Sequence, residues 1–282
     1  MRRFRARGSG GLELSVLEWT HDKPRATCLV LHGFMDAAAT FDLVAPELAT
    51  SGLRVLAPDL RGFGESDRVS GGGYYHFPDY VADVDAIVRE HVSGDGPLFI
   101  VGHSMGGTVA TMYVGTKPER VAKLAVLEGM GPPDNEHDMS PLRMKRWLED
   151  LERGPKSVAM TEDDAMKRLV TSHPRVPREV LETRLPLLAS REGDRWTWRF
   201  DPMHRTTAPV PFFAKTYASF AARVSCPVLY ISGGPLGWRV QDEAERLAAF
   251  SHAKHVDIDE AGHMMHWTKP RELAAALIEF LR

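Results

Sequence analysis

The sequence predicts an α/β fold, with a mostly parallel central sheet flanked by helices and an inserted helical cap. Three observations lead to this prediction. Short apolar runs alternate with segments of helical periodicity, as in a parallel sheet covered on both faces. The strand signal disappears between residues 132 and 211, where amphipathic pieces replace it. With 282 residues, of which 43% are hydrophobic, the chain can bury one large core and still carry an insertion.

The core elements are predicted from runs of apolar residues. Buried strands are expected at residues 26–31, 53–57, 97–101, 124–127, 227–231 and 255–258. Apolar residues recur at helical spacing over 80–92, with Pro78 near the start, and again over 273–281. We therefore assign residues 1–131 and 212–282 to one core.

The cap is predicted over residues 132–211. Amphipathic pieces at 144–151, 165–170 and 180–185 indicate helices, and Thr161 with Asp164 resembles a capping box at the start of the second. Apolar residues alternate at period two from Trp196 to Phe200, which indicates an extended segment. In the core, the glycines at 71–73 predict a flexible loop.

Charge and hydropathy limit the classes of partner. The formal net charge of -3 is spread over both signs, so nothing indicates nucleic acid, and we expect a small-molecule substrate. The arginines among residues 1–7 are not followed by the apolar stretch of a secretory signal, and no run approaches the roughly 20 apolar residues that span a bilayer. We expect a cytoplasmic protein with no membrane partner and leave a homodimer open.

The segment Gly102-His103-Ser104-Met105-Gly106 follows a predicted strand and precedes a plausible helix. This is the context of a nucleophile elbow, where a sharp turn holds the serine in a strained conformation and side chains at the glycines would collide with nearby backbone. The turn aims the first amides of the helix, with the Met105 N–H nearest, at a developing oxyanion. The alternative is a chance glycine-rich turn.

With these residues the chain resembles the α/β-hydrolase fold family over nearly its whole length. His32-Gly33-Phe34 is similar to the family's oxyanion loop, which implies the Phe34 N–H as the second donor. The segment from Asp59 to Ser66 is similar to the family's segment after the next strand, where we favour a structural turn that braces the oxyanion loop. Ala261-Gly262-His263 is similar to the loop of the family's catalytic histidine.

Ser104 needs a general base, and histidine is best matched to that role at neutral pH. His263 is favoured by its position among the 12 histidines. His266 is expected to be a packing residue, and a metal pair of His263 with His266 lacks an apparent third ligand. We expect His103 to point away from the site, and no metal or cofactor is predicted.

The acid departs from the commonest family pattern. No carboxylate follows the strand at 227–231 before Asp242, which falls inside a predicted helix. In the family that the chain resembles, a second location of the acid is the end of the preceding strand, and Glu128 stands there. This is the side on which open α/β sheets build their sites. We favour Glu128 as the residue that orients His263, with Asp242 or no acid as the alternatives.

These residues predict a serine-dependent hydrolase of a small, largely apolar carboxylic ester or related acyl substrate, acting through an acyl-enzyme. His32, Trp147 and Trp238 are the predicted substrate contacts. A structural role is the alternative for His32, and a place in the cap core is the alternative for the tryptophans. Segments around His32, Glu128 and 198–202 resemble the serine hydrolase-like protein branch. A carbon–carbon bond hydrolase, other cofactor-free chemistry of this fold, and a receptor-like protein with weak hydrolysis stay open as alternatives.

Overall fold

A computed structural model describes residues 1–69, 71, 73–92 and 96–282 of the chain. Within them, eight strands form the main sheet in the order β1-β2-β4-β3-β5-β6-β9-β10. Neighbours from β4 to β10 are parallel, and β1 and β2 are antiparallel additions at one edge. The strands are β1 Arg2–Arg7, β2 Glu13–Trp19, β3 Ala26–Leu31, β4 Leu53–Pro58, β5 Leu98–His103, β6 Lys123–Leu127, β9 Val228–Ser232 and β10 Ala253–Asp257.

The predicted fold class is confirmed, and all predicted core strands are present with boundaries within two residues. The sequence analysis missed β1 and β2. In β1, arginines occupy four of the six positions of Arg2–Arg7 and most side chains are exposed, so no apolar run marks the strand.

Helices cover both faces of the sheet. Side chains alternate along β5, so that Leu98 and Ile100 pack under α2, α3 and α7 while Phe99 and Val101 pack under α1 and α10. This layering buries the strands on both sides. The core helices are α1 Ala45–Thr50, α2 Phe77–His91, α3 Met105–Thr116, α7 Ala214–Ala221, α8 Glu243–Ala248, α9 Met265–Thr268 and α10 Pro270–Leu281.

Between β6 and α7 runs the inserted segment, residues 132–211. It contains helices and a short antiparallel hairpin, and the second strand of the hairpin overlaps the segment from Trp196 to Phe200 that was predicted to be extended. At the start of its second helix the Thr161 hydroxyl accepts a hydrogen bond from the Asp164 N–H at 3.2 Å, as predicted. Its elements are α4 Ser140–Arg153, α5 Glu162–Ser172, α6 Arg178–Leu188, β7 Ala189–Glu192 and β8 Arg195–Trp198.

The inserted segment packs unevenly. Leu169, Leu185 and Trp196 are buried in one hydrophobic cluster. This cluster also contains Met264 and Trp267, which belong to the core. By contrast, none of the residues of α4, all of which are described, is buried.

No helix in the described part of the chain is long and apolar enough to cross a bilayer. The predicted flexible loop at 71–73 includes Gly72, which lies outside the described residues.

Candidate active site

Ser104 lies at the turn between β5 and α3. Its backbone has φ 50° and ψ −119°, a conformation that an L-residue rarely adopts. The two flanking glycines permit it. A Cβ at Gly102 would lie 2.5 Å from the Gly106 carbonyl oxygen, and a Cβ at Gly106 would lie 2.3 Å from that of Leu31. Any larger residue would push the turn out of the sheet.

Three side chains form a hydrogen-bonded chain at this turn. The His263 Nε2 lies 3.1 Å from the Ser104 Oγ, and its Nδ1 lies 2.8 Å from the Glu128 Oε2. The residues come from the ends of β5 and β6 and from the loop after β10, so the carboxyl edge of the sheet assembles them. Because the Nδ1–H donates to a carboxylate, Nε2 is left to accept the serine proton.

Glu128 is held by backbone amides as well as by His263. Its Oε1 accepts from the Gly233 N–H at 2.6 Å, and its Oε2 accepts from the Trp238 N–H at 2.8 Å. The side chain is 1% exposed, so these donors replace water around the carboxylate. The β9–α8 loop, which carries no acid of its own before Asp242, thus supplies donors instead.

Asp242 does not reach the histidine. It immediately precedes α8, and its Oδ2 accepts from the Arg246 Nε at 2.8 Å. Arg246 also donates to the carbonyl oxygens of Met130 and Pro132, so this pair fixes the chain where it leaves β6.

The predicted oxyanion donors are the backbone amides of Phe34 and Met105. Among the described residues, neither the Phe34 N–H nor the Met105 N–H has a hydrogen-bond partner in the protein. Met105 is the first residue of α3, where a helix leaves its amides free. Both residues line the cavity that contains Ser104. Two free donors beside the serine are what an oxyanion requires.

The segment after β4 braces the loop that carries Phe34. Asp59 accepts from the Ala38 N–H at 2.8 Å and from the Glu65 N–H at 3.0 Å, and Ser66 donates to the Asp59 carbonyl oxygen. Gly64 leaves room for this arrangement, since a Cβ there would collide with the Asp59 carboxylate. The geometry is that of a structural turn.

His32 is not a wall of the cavity, which corrects its assignment as a substrate contact. Its side chain is fully buried, and it is absent from the described residues that line the cavity. The Nδ1–H donates to the Gly33 carbonyl oxygen at 2.7 Å, and Nε2 accepts from the Leu60 N–H at 2.9 Å. Both ring nitrogens therefore join the oxyanion loop to the segment that braces it.

Behind the loop that carries His263 lies a buried polar cluster of Asp36, His103 and His266. His103 Nε2 donates to the His263 carbonyl oxygen at 2.8 Å, and His266 Nε2 donates to Asp36 at 3.0 Å. Burial, with the neighbouring histidines, holds the pKa of His103 well below its usual value. Burial also lowers the pKa of His266, although Asp36 opposes it.

The same three residues have the chemistry to hold a metal. One ligand atom from each of Asp36, His103 and His266 lies within 4.8 Å of the others. Histidine nitrogen and aspartate oxygen are both zinc ligands, with bonds of about 2.0–2.2 Å. His263 and His266 were considered from the sequence as a pair of metal ligands. In the structure, His263 is hydrogen-bonded to Glu128 and His266 to Asp36. As it stands, the cluster connects the oxyanion loop to the histidine loop.

Ser104 opens into a cavity of about 980 Å³, which is within the usual range for ligand sites. Trp238 lines it and lies 5.9 Å from the His263 ring, as a predicted substrate contact should. Trp147 is not among the described residues that line the cavity. Its ring packs edge-on against the ring of Tyr74, which does line the cavity, with the two centroids 5.7 Å apart. The prediction that Trp147 contacts the substrate is therefore wrong, and Trp147 instead supports a residue of the cavity wall.

Sequence reasoning missed an aromatic wall. The His204 ring stacks on Tyr75 at 4.0 Å, and its Nε2 lies 2.9 Å from the Tyr80 hydroxyl. Tyr75 in turn donates to Asp201 at 2.7 Å. Burial lowers the pKa of His204 to about 4. The partners are more than 120 positions apart, so no local pattern could reveal them.

Comparison with known proteins gives relatives of several kinds. A serine hydrolase-like protein of Dictyostelium discoideum is 31% identical over 45% of this chain, and the match spans only about a third (35%) of that protein. An esterase of Mycobacterium tuberculosis is 27% identical over 95% of this chain and 85% of its own length. The crystal structure of a hypothetical protein of Pseudomonas aeruginosa has a TM-score of 0.86 at 23% identity, covering 100% of this chain and 99% of that one. That structural likeness concerns the fold alone.

A family model described as "alpha/beta hydrolase fold" matches residues 29–270. The match begins in β3 and ends at the first residue of α10, so it includes the elbow, Glu128 and His263. The chain belongs to the α/β-hydrolase fold family.

Proposed function

We propose that this protein is a serine-dependent hydrolase of a carboxylic ester or related acyl compound. The observation that carries the proposal is the continuous chain from Ser104 through His263 to buried Glu128, opening into an apolar cavity beside two free amide donors. Each part has a role in acyl transfer. The relatives named as esterase and serine hydrolase-like protein support the same class of reaction.

The first half of the reaction forms an acyl-enzyme. The Ser104 Oγ attacks the carbonyl carbon while its proton passes to the His263 Nε2. The carbonyl oxygen, now negatively charged, is bound by the amides of Phe34 and Met105. When the tetrahedral intermediate collapses, the bond to the alcohol breaks and His263 returns the proton to the departing oxygen.

The second half regenerates the serine. A water molecule gives a proton to the His263 Nε2 and attacks the acyl carbon, and the bond to Ser104 breaks as the serine oxygen takes the proton back. In both halves Glu128 fixes the tautomer of the neutral His263 ring and stabilises the imidazolium that forms when the ring takes up a proton. The products are a carboxylic acid and an alcohol.

The inserted segment, residues 132–211, acts in this proposal as a cap on the core, residues 1–131 and 212–282. Arg143 and His204 from this segment line the same cavity as Ser104, so the segment closes one side of it. Covering the site excludes bulk water from the acyl-enzyme and selects substrates by shape.

The test is hydrolysis of p-nitrophenyl butyrate by the wild type and by Ser104→Ala, purified identically. We expect multiple turnovers in the wild type and a loss of at least about 10³-fold in the variant. Equal turnover in the two proteins would refute the proposal. Saturable binding of the ester without turnover in either protein would favour a receptor, and cleavage of dienol-type diketones alone would favour a carbon–carbon hydrolase.

A further inference from the structure

The cavity extends from Ser104 along one face of α3. Met105, Thr108 and Met112 line it, at a spacing that places their side chains on the same side of a helix. Ser104 is the N-cap of this helix, and Met112 is eight residues further on, which corresponds to about 12 Å along the axis at ~1.5 Å per residue. The lining thus continues well beyond the reacting atoms.

Two other helices complete this part of the cavity. Tyr217 and Phe220 of α7 face it from one side, and Phe77 and Tyr80 of α2 from another. Both helices pack directly against α3. We call the space between α2, α3 and α7 the α3 pocket.

Three of the hydroxyl groups that face the α3 pocket are already bonded within the protein. The Thr108 hydroxyl donates to the Gly129 carbonyl oxygen at 3.2 Å, and the Tyr217 hydroxyl donates to the Thr111 Oγ1 at 3.2 Å. The Tyr80 hydroxyl lies 2.9 Å from His204 Nε2. What these residues offer to a ligand is therefore mainly methyl, methylene and aromatic surface, which binds apolar groups and not charged ones.

We propose that the α3 pocket binds the acyl chain of the substrate, and that the substrates are esters of medium-chain acids of about eight to ten carbons. The chain length follows from about 12 Å of pocket and C–C bonds of about 1.5 Å in a zigzag chain. The assignment rests on the proposed function, since the ester carbonyl must lie at Ser104. It narrows that function from carboxylic esters in general to one class.

Burial of the chain sets the expected size of the effect. Each methylene that moves from water into an apolar pocket contributes about fourfold to kcat/KM, as long as the chain still fits. From acetate to octanoate, kcat/KM should therefore rise by at least 100-fold, and it should level off or fall beyond about ten carbons.

Met112→Trp tests the assignment by filling the far end of the α3 pocket. The assay compares p-nitrophenyl acetate, butyrate, octanoate and dodecanoate. We expect kcat/KM for octanoate to fall at least tenfold while kcat/KM for acetate stays within twofold of the wild type. Thr116→Trp is the matched control, because Thr116 is an exposed residue one turn further along α3. It should leave both values unchanged.

A second variant and a binding measurement keep the test decisive. If Met112→Trp does not fold, Phe220→Ala enlarges the pocket and should shift the preference towards longer chains. Calorimetry with 2-decanone, a neutral ketone of this chain length without a leaving group, measures the pocket without catalysis. We expect Met112→Trp, or Phe220→Ala in its place, to change the affinity of the ketone at least fivefold.

The outcomes separate the pocket from the reaction. A wild type that binds 2-decanone in the α3 pocket but hydrolyses no ester would contradict the proposed function and leave the pocket assignment intact. Equal losses for acetate and octanoate in Met112→Trp, or no loss for either, would overturn the assignment while leaving the serine hydrolase in place. Ketone binding that neither variant alters would overturn it as well.

Discussion

The elbow at Ser104 and helix α4 of the inserted segment are packed in opposite ways. At the elbow, backbone approaches backbone so closely that a single methyl at Gly106 would meet the carbonyl oxygens of Leu31 and His32. In α4, Leu148 is 50% exposed and Met144 is 42% exposed. The elbow carries the proposed nucleophile, whereas α4 belongs to the proposed cap. Close packing holds the first in one geometry, while sparse packing leaves the second free to adapt to different ligands in this proposal.

The largest effect on activity is expected for Glu128, the proposed acid next to the elbow. Glu128→Gln keeps the shape of the side chain but removes the charge that orients His263, so we expect kcat to fall by between about 10² and 10⁴-fold. Asp242→Asn is the matched control, because Asp242 pairs with Arg246 and not with His263. Ester hydrolysis under steady-state conditions measures both. A crippled Asp242→Asn beside an unchanged Glu128→Gln would reverse the assignment of the acid.

Two glycine substitutions compare the regions directly. Gly106→Ala should destabilise the protein by about 3 kcal/mol or more, because backbone carbonyls cannot move away from the new Cβ. Gly154→Ala, just after α4, meets nothing within 4 Å and should cost only about 1 kcal/mol for its positive φ. Urea unfolding gives both values. Equal losses would mean that the elbow relaxes and that the two regions do not differ.

His204 of the inserted segment contacts Tyr75 and Tyr80 of the core, and the stability that this contact contributes should depend on pH. Burial lowers the pKa of His204 to about 4 from an ordinary value of 6.5, so the unfolded chain takes up this proton first as the pH falls. The stability that neutral His204 contributes is complete above pH 6.5 and is lost between pH 6.5 and 4, by about 3 kcal/mol at most. His204→Gln should flatten the dependence of unfolding free energy on pH in this window.

Exposed His252 supplies the control for this titration. His252→Gln should leave the pH dependence of unfolding unchanged. If the unfolding free energy of His204→Gln falls as steeply as that of the wild type between pH 6.5 and 4, groups other than His204 cause the loss of stability in acid.

The smallest effect is expected in α4. Leu148→Ala removes a half-exposed side chain and should change the unfolding free energy by about 0.5 kcal/mol or less. Leu277→Ala, the same substitution at a fully buried position of α10, should cost about 2 to 5 kcal/mol. Thermal or urea unfolding compares the two. A large loss in Leu148→Ala would mean that α4 is covered in solution.

Sequence reasoning succeeded where the signal is local. The elbow needs glycines at fixed offsets from Ser104, and buried parallel strands are continuous apolar runs, so both can be read within a few residues. Glu128 was selected because it ends a strand, and the structure brings it to within 2.8 Å of His263. Its catalytic role stays a prediction.

What the sequence could not supply is the direction of a side chain and the meeting of distant segments. His32 was predicted either to contact the substrate or to be structural, and the structure shows that its ring accepts from the Leu60 amide. The Gly233 and Trp238 amides that hold Glu128 carry no sequence signal, because every residue except proline has such a donor.

In the proposed reaction Ser104 carries the acyl group, and this can be observed by intact-mass spectrometry after rapid mixing with p-nitrophenyl octanoate. We expect a mass increase of one octanoyl group, located by peptide analysis on Ser104, which disappears on further incubation as octanoate is released. Ser104→Ala should show no such adduct. An octanoyl group on another residue that is released at the rate of turnover, with Ser104→Ala still active, would show that Ser104 is not the nucleophile.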